Sequence, residues 1–236
     1  MPLYTVDLHN HTPHVASDYK GPEGTTASDL VRAAAEAGID VFGVTDHMSV
    51  GFFREVERSA AEHSSLTGRR ILVVPGAEIK VTWGDDEAHL IALFQPGSEE
   101  VGLRVLTEAL GIRLHEQPAH MLARLKVEAD PVMVAGLVEE LGGICHLAHA
   151  DRWFGPYRLM ESTLFGRIAA EAPIGAVECL DPDSCEWLTR PEHGCRVIAS
   201  SDSHAPDEIG RRTTRMELSE LSFDALRDAM RPRRRT

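Results

Sequence analysis

No stretch of this 236-residue chain approaches the ~20 consecutive apolar residues that a membrane-spanning helix requires, and its N-terminus lacks the basic and apolar run of an export signal. A soluble, cytoplasmic protein without a membrane partner is therefore expected. Cysteine is scarce. Cys145, Cys179, Cys185 and Cys195 show neither C-x-x-C spacing nor the density of a secreted disulfide framework. Reduced thiols are expected, with Cys145 and Cys195 serving as small buried side chains in apolar runs. Positive charge is also short: 24 Lys and Arg against 37 acidic residues leave a formal charge of −13. That balance weakens any case for a broad electrostatic grip on duplex nucleic acid. The basic run Arg231 to Arg235 reads as a solvated tail. Internal repeats, low-complexity blocks and Gly/Pro/Ser-rich linkers are missing too, so residues 1–236 read as one domain.

What the chain does have is alternation. Strands are expected at Tyr4 to Leu8, Val41 to Thr45, Ile71 to Val81, His89 to Phe94, Ile144 to Ala148, Ala176 to Leu180 and Arg196 to Ser200. Helical patterns lie between and around them: a Ser28-capped helix ended by Gly38, Gly51 to Ser64, Glu99 to Lys126, Pro131 to Leu141, Leu164 to Ala170, and a Ser222-capped helix to Met230. Strand and helix in turn predict parallel pairing through right-handed crossovers, and about seven units favour a closed or nearly closed α/β barrel. The stretch Glu99 to Asp130 is too long for an ordinary crossover and reads as an inserted helical cap, residues 99–130, over the barrel mouth.

Histidines and acids cluster at the ends of the predicted strands. VDLHNHT alternates, so Asp7, His9 and His11 share one face of an extended strand. GVTDH ends the second strand with Asp46 and His47, PGAEI brings Glu78, and AHLIALF opens on His89. CHLAHA carries His149, AVECL Glu178, and ASSDSH Asp202 and His204. In a β/α barrel the C-terminal strand ends build the active site. Imidazole and carboxylate together suit divalent Zn, Mn or Fe, and the number of donors exceeds the four positions of one tetrahedral ion. Two or three ions are expected, bridged by Glu78.

The ordered set DLHNHT, GVTDH, PGAE, AHLIAL, LAHA and SDSH resembles the successive motifs of the PHP (polymerase and histidinol phosphatase) family, over about Val6 to His204. The resemblance implies a distorted (β/α)7 TIM-like barrel that holds up to three metal ions and hydrolyses phosphoesters. It implies one ion on His9, His11, Glu78 and Asp202, a second on Glu78, His89 and His149, and a third on Asp18, His47 and His204. His14, in the same loop, competes with Asp18 for the third site. Where many family members have His-Pro, this chain has His149-Ala150.

Hydrolysis by water activated at a two- or three-metal centre is the expected chemistry. Glu78, Asp202 and His204 would carry catalysis, with Asp7, Asp46 and Glu178 behind the ligands. His146 is expected to be a core or second-layer histidine. Lys80, Arg152, Arg190 and His120 are candidates for holding substrate, and Trp83 and Trp153 for stacking on a ring. The expected substrate is a small phosphomonoester, a nucleotide or a short oligonucleotide. The competing class is a non-catalytic, metal-stabilised module that supports a partner protein.

Overall fold

The structure is a computed structural model in which residues 1–15, 17–154, 157–183, 185 and 195–231 are described. The chain opens with β1 (Leu3–Asp7) and α1 (Ala27–Glu36). Thr26, not the expected Ser28, caps α1: its hydroxyl accepts the Asp29 amide at 3.3 Å, while the Asp29 carboxylate accepts the Thr26 amide at 2.9 Å. The reciprocal pair satisfies two backbone donors that the first turn leaves open. Gly38, one residue past the C-cap, takes φ +76° and ends the helix as expected.

Next come β2 (Val41–Val44), α2 (Phe53–Thr67), β3 (Leu72–Trp83) and β4 (Asp86–Leu93). The pairing of β3 with β4 overturns a purely parallel sheet. Trp83 pairs with Asp86, so only Gly84 and Asp85 connect the strands, and so short a link must reverse the chain. Gly84 supplies the positive φ (+62°) that the turn needs.

After α3 (Glu99–Ala109) the expected long helix does not continue. Gly111 and Pro118 interrupt it, short 3-10 turns follow at Leu114–Glu116 and Ala119–Arg124, and β5 (Lys126–Glu128) pairs parallel with β3. The remaining elements are α4 (Pro131–Glu140), β6 (Ile144–Leu147), β7 (Trp153–Phe154), β8 (Tyr157–Arg158), α5 (Thr163–Glu171), β9 (Ala176–Glu178), β10 (Arg196–Ile198), β11 (Thr214–Glu217) and α6 (Phe223–Ala229).

The main sheet runs β10-β9-β6-β4-β3-β2-β1-β11. Pairs β1/β2, β2/β3, β6/β9 and β9/β10 are parallel, whereas β3/β4, β4/β6 and β1/β11 are antiparallel. The barrel is nearly closed, because the loop after β10 meets the loop after β1. The His11 amide donates to the Ser203 carbonyl at 2.8 Å and the Leu8 amide to Ser200 Oγ at 3.2 Å. Val6, Val41, Val74, Ile91, Ile144, Ala176 and Ile198, from seven strands, pack in one cluster that Phe223 and Leu226 of α6 join. Burying these side chains stabilises the barrel and gives the strand-end loops a rigid base.

One expectation about thiols fails. Cys179 and Cys185 are disulfide-bonded, while Cys145 and Cys195 are free and buried. The two bonded cysteines are six residues apart, and the turn after β9 folds back to join them. Burial pushes the Cys145 thiol up to about 12, which keeps it inert.

Candidate metal centre

β1 ends at Asp7, so His9 and His11 sit on the loop that leaves it. Both rings are buried. The carboxylates beside them tie loops together. Asp7 accepts the Ser201 amide at 2.9 Å and hydroxyl at 2.6 Å and the Gly210 amide at 3.3 Å, which fixes the turn leading into Asp202. Burial raises the Asp7 carboxyl to about 6 against these hydrogen bonds. Asp46 accepts the Thr12 amide at 2.8 Å and hydroxyl at 2.5 Å, setting the path after His11, and lies 4.0 Å from His11 Nδ1. Met48, His149 and Asp202 are the non-glycine residues with positive φ (50°, 28° and 48°) among the described residues, and all three lie in the strand-end loops of this site. Backbone strain of this kind persists where the surroundings enforce it.

Glu78 occupies the middle. Its Oε1 lies 2.5 Å from His89 Nδ1 and 3.4 Å from His149 Nε2. Its Oε2 lies 3.1 Å from His47 Nδ1, 3.3 Å from His11 Nε2 and 3.5 Å from His9 Nε2. One carboxylate thus divides five imidazoles between its two oxygens. Asp202 Oδ1 completes the second group, 3.5 Å from both His9 Nε2 and His11 Nε2.

Asp18, not His14, joins the cluster: its Oδ1 is 3.1 Å from His204 Nε2, 3.4 Å from His47 Nε2 and 3.8 Å from His11 Nδ1. His14 Nδ1 instead lies 3.4 Å from Ser49 Oγ. The His204 ring stacks on His11 with centroids 4.3 Å apart. The third donor group is therefore Asp18 and His47 with both His204 and His11 within reach.

Behind the rings stands Glu178, whose Oε1 accepts from His9 Nδ1 and from the His149 amide, each at 3.2 Å. Burial would raise its carboxyl, but the His9 charge, the nearby His146 ring and the hydrogen bond from His9 outweigh it and hold it well below the usual range. His146 is fully buried in this second layer, 3.8 Å from Glu178 Oε2.

The donor set fits divalent cations. His9 Nε2, both His11 nitrogens and His47 Nδ1 are buried without a hydrogen bond, although they approach carboxylate oxygens at 3.1 to 4.0 Å. Buried ring nitrogens are rarely left so unless something else pairs with them. Without ions the cluster holds itself by charge. Burial would lower the His11 imidazole, but the Asp202 and Glu78 carboxylates beside it raise it to about 9. Burial would likewise raise Glu78, yet His89, His9 and His47 drive it well below its ordinary value. A divalent ion bound among these groups would take the place of protons on the rings.

The cluster opens into a cavity of about 500 Å³ lined by His11, Asp18, His47, Glu78, His89, Asp202 and His204. Lys80 and Arg152 line it. Lys80 Nζ also donates to the Ala123 carbonyl at 2.7 Å, and Arg152 Nη1 stands 3.8 Å from Asp202 Oδ2. His120 does not: it is exposed on a 3-10 turn and lines no part of this cavity. Arg190 lies outside the described residues, as does the Trp153 side chain. The Trp83 ring is covered by the Arg167 guanidinium at 4.7 Å. Lys20, Arg211 and Arg212 also line the cavity. Sequence reading missed them because single basic residues in loops carry no periodic or spacing signal. Glu87 and Glu208 complete its charges, so five acids and five bases line the cavity of a chain whose overall charge is −13.

Residues 190–234 match the PHP-associated family model, PHP_C. The 5'-3' exoribonuclease Rnm of Salmonella typhimurium is 32% identical over 87 residues, which is 37% of this chain and only 26% of the exoribonuclease. Among solved structures, the lesion-specific endonuclease PfuEndoQ of Pyrococcus furiosus superposes with a TM-score of 0.67 at 18% identity, covering 97% of this chain and 56% of that one. A protein of Bifidobacterium adolescentis inferred to be a metal-dependent phosphoesterase gives 0.66 at 18% identity, covering 95% and 94%. At such identities the structures establish a shared fold. In its C-terminal segment and in its fold the chain is thus similar to PHP-associated proteins and to proteins described as metal-dependent phosphoesterases, and it spans about a quarter of the length of the exoribonuclease it matches.

Proposed function

We propose that the chain is a metal-dependent phosphoesterase acting on a small phosphomonoester, a nucleotide or the end of a short oligonucleotide. The observation that carries this reading is Glu78, whose two oxygens face separate imidazole groups and so suit two ions at once. His9, His11 and Asp202 with Glu78 would hold one ion, Glu78 with His89 and His149 a second, and Asp18 with His47 and His204 a third. Divalent ions bound there, whether Zn, Mn or Fe, supply Lewis acidity toward a phosphoryl oxygen and lower the pKa of attacking water.

The protein's own groups then have separate tasks. Glu178 fixes the His9 ring through Nδ1, leaving Nε2 turned toward Glu78 and Asp202. His204 Nδ1 lies 3.0 Å from the Asp202 carbonyl, a bond that fixes Nε2 as the atom facing Asp18. Arg152 and Lys80 offer charge to the phosphoryl oxygens from the cavity wall. A cavity of about 500 Å³ accommodates a nucleotide or a chain end, and the acidic exterior disfavours long duplexes. The exoribonuclease and endonuclease resemblances add support for nucleotide-containing substrates.

Metal analysis of the purified protein, coupled to a panel of monoesters, diesters and short oligonucleotides with added Mn²⁺, tests the reading. Bound ions with turnover that chelation abolishes are expected. Bound ions with no turnover across the panel would favour the non-catalytic module instead.

A further inference from the structure

Two adjacent arginines at the cavity wall behave differently. Arg211 is fully engaged: Nε donates to the Ser201 carbonyl at 2.7 Å, Nη2 to the Asp202 carbonyl at 3.1 Å, and Nη1 to Glu208 Oε1 at 2.9 Å. It braces the Asp202 loop. Among the described residues Arg212 spends only Nε, on the Leu180 carbonyl at 3.1 Å. Its Nη1 is shut off from solvent and has no hydrogen-bond partner among the described residues. A buried, charged N–H left open is costly, and such a group calls for an explanation.

The surroundings hold this guanidinium in place. Leu180, which accepts its Nε, also lines the cavity, and the Leu180 and Asp181 amides both donate to Asp151 at 2.8 Å. The Cys179–Cys185 disulfide closes the same turn. The Arg212 carbonyl in turn accepts the Ser201 hydroxyl at 3.2 Å, one residue from Asp202. The donor is therefore fixed before any ligand arrives, on a wall shared with Arg152, Lys20 and the metal-ligand cluster.

We propose that Arg212 is a substrate-binding residue whose guanidinium donates to a non-bridging oxygen of the substrate's phosphate, so that the site favours a terminal, doubly ionised phosphomonoester over a singly charged diester. The proposal rests on the phosphoesterase reading and assigns the residue that sets its specificity. A fixed guanidinium is well matched to phosphate and rewards the extra negative charge of the monoester.

The test uses the metal-loaded chain and its R212A and R212K variants. Metal content, binding of inorganic phosphate by calorimetry, and kcat and KM on 4-nitrophenyl phosphate and bis(4-nitrophenyl) phosphate are measured together. R212A is expected to keep its ions, to bind inorganic phosphate ~10- to 100-fold more weakly, and to lose preference for the monoester. Added guanidinium ion should restore part of that binding. R212K should fall between the two, and it carries the test if R212A does not fold. Unchanged phosphate binding and monoester preference in both variants, with the wild type active, would overturn the assignment to Arg212 alone. A wild type that turns over neither ester, yet binds inorganic phosphate through Arg212, would defeat the activity reading and leave the binding assignment standing.

Discussion

Replacing Glu178 by alanine isolates the layer behind the metal-ligand rings. The carboxylate accepts two buried hydrogen bonds, from His9 Nδ1 and the His149 amide, each at 3.2 Å. Hydrogen bonds to a charged partner contribute about 1.5–3 kcal/mol each, so the pair contributes about 3–6 kcal/mol. Relief from burying the anion offsets part of this, and a net loss of roughly 2–4 kcal/mol is expected for the ion-free protein. At about 2–4 °C per kcal/mol for a domain of this size, its Tm should fall by roughly 4–16 °C. His9 also loses the acceptor that fixes its ring, so divalent-ion affinity should fall ~10- to 100-fold. Chelator competition gives the affinity and thermal unfolding with and without ions gives the stability. Glu178→Gln, which keeps the shape and one acceptor oxygen, should lie between wild type and alanine. If Glu178→Ala binds ions as tightly as wild type while Tm drops, the carboxylate is purely structural and the reasoning fails.

Other outcomes follow from the same geometry. His11 is raised to about 9 in the ion-free protein, so its contribution to stability is complete below its unfolded value near 6.5 and is lost as pH rises through about 9. Ions need the unprotonated ring, so affinity should climb over that window. Calorimetry in buffers of different ionisation enthalpy should show protons released on metal binding at pH 7, and no release would contradict the assignment. Asp7→Ala strands the Ser201 amide and hydroxyl and the Gly210 amide, and should cost about 2–4 kcal/mol in denaturant unfolding while displacing Asp202 from its place. Asp7→Asn should cost less. Thr26→Ala removes the α1 cap, with an expected loss of ~1 kcal/mol and unchanged metal content. His120→Ala should leave kcat and KM unaltered, because the residue does not line the cavity.

Seven strands and most helices were legible, because strands such as Val41–Val44 are short apolar runs and helices such as Ala27–Glu36 bury residues three and four apart, here Ala27, Leu30, Val31 and Ala34. The clustering of His9, His11, His47, His149 and Asp202 was legible too, since the loops that carry them leave strands at one face of the barrel, whereas Glu78 and His89 sit within the paired strands β3 and β4. Strand direction was not: β4 runs antiparallel because two residues, Gly84 and Asp85, join it to β3, a fact of connection length rather than pattern. The segment after Ala109 kept a helical composition that Gly111 and Pro118 break. Alternation placed Asp7 beside His9 and His11, but its carboxylate serves a loop nearly two hundred residues away at Ser201. Cys179 meets Cys185, and Arg212 meets Leu180, only through the turn after β9. Pairings of this kind depend on tertiary closure, which no local window contains.

The central claim is that Glu78 joins separate donor groups into one multinuclear centre, and elemental analysis of wild type and Glu78→Ala after identical loading with Mn²⁺ or Zn²⁺ tests it most directly. Two or three ions per wild-type chain, with at least two lost together in the variant along with phosphoester turnover, are predicted. A wild type holding no more than one ion, or a variant that keeps its full complement, would contradict it.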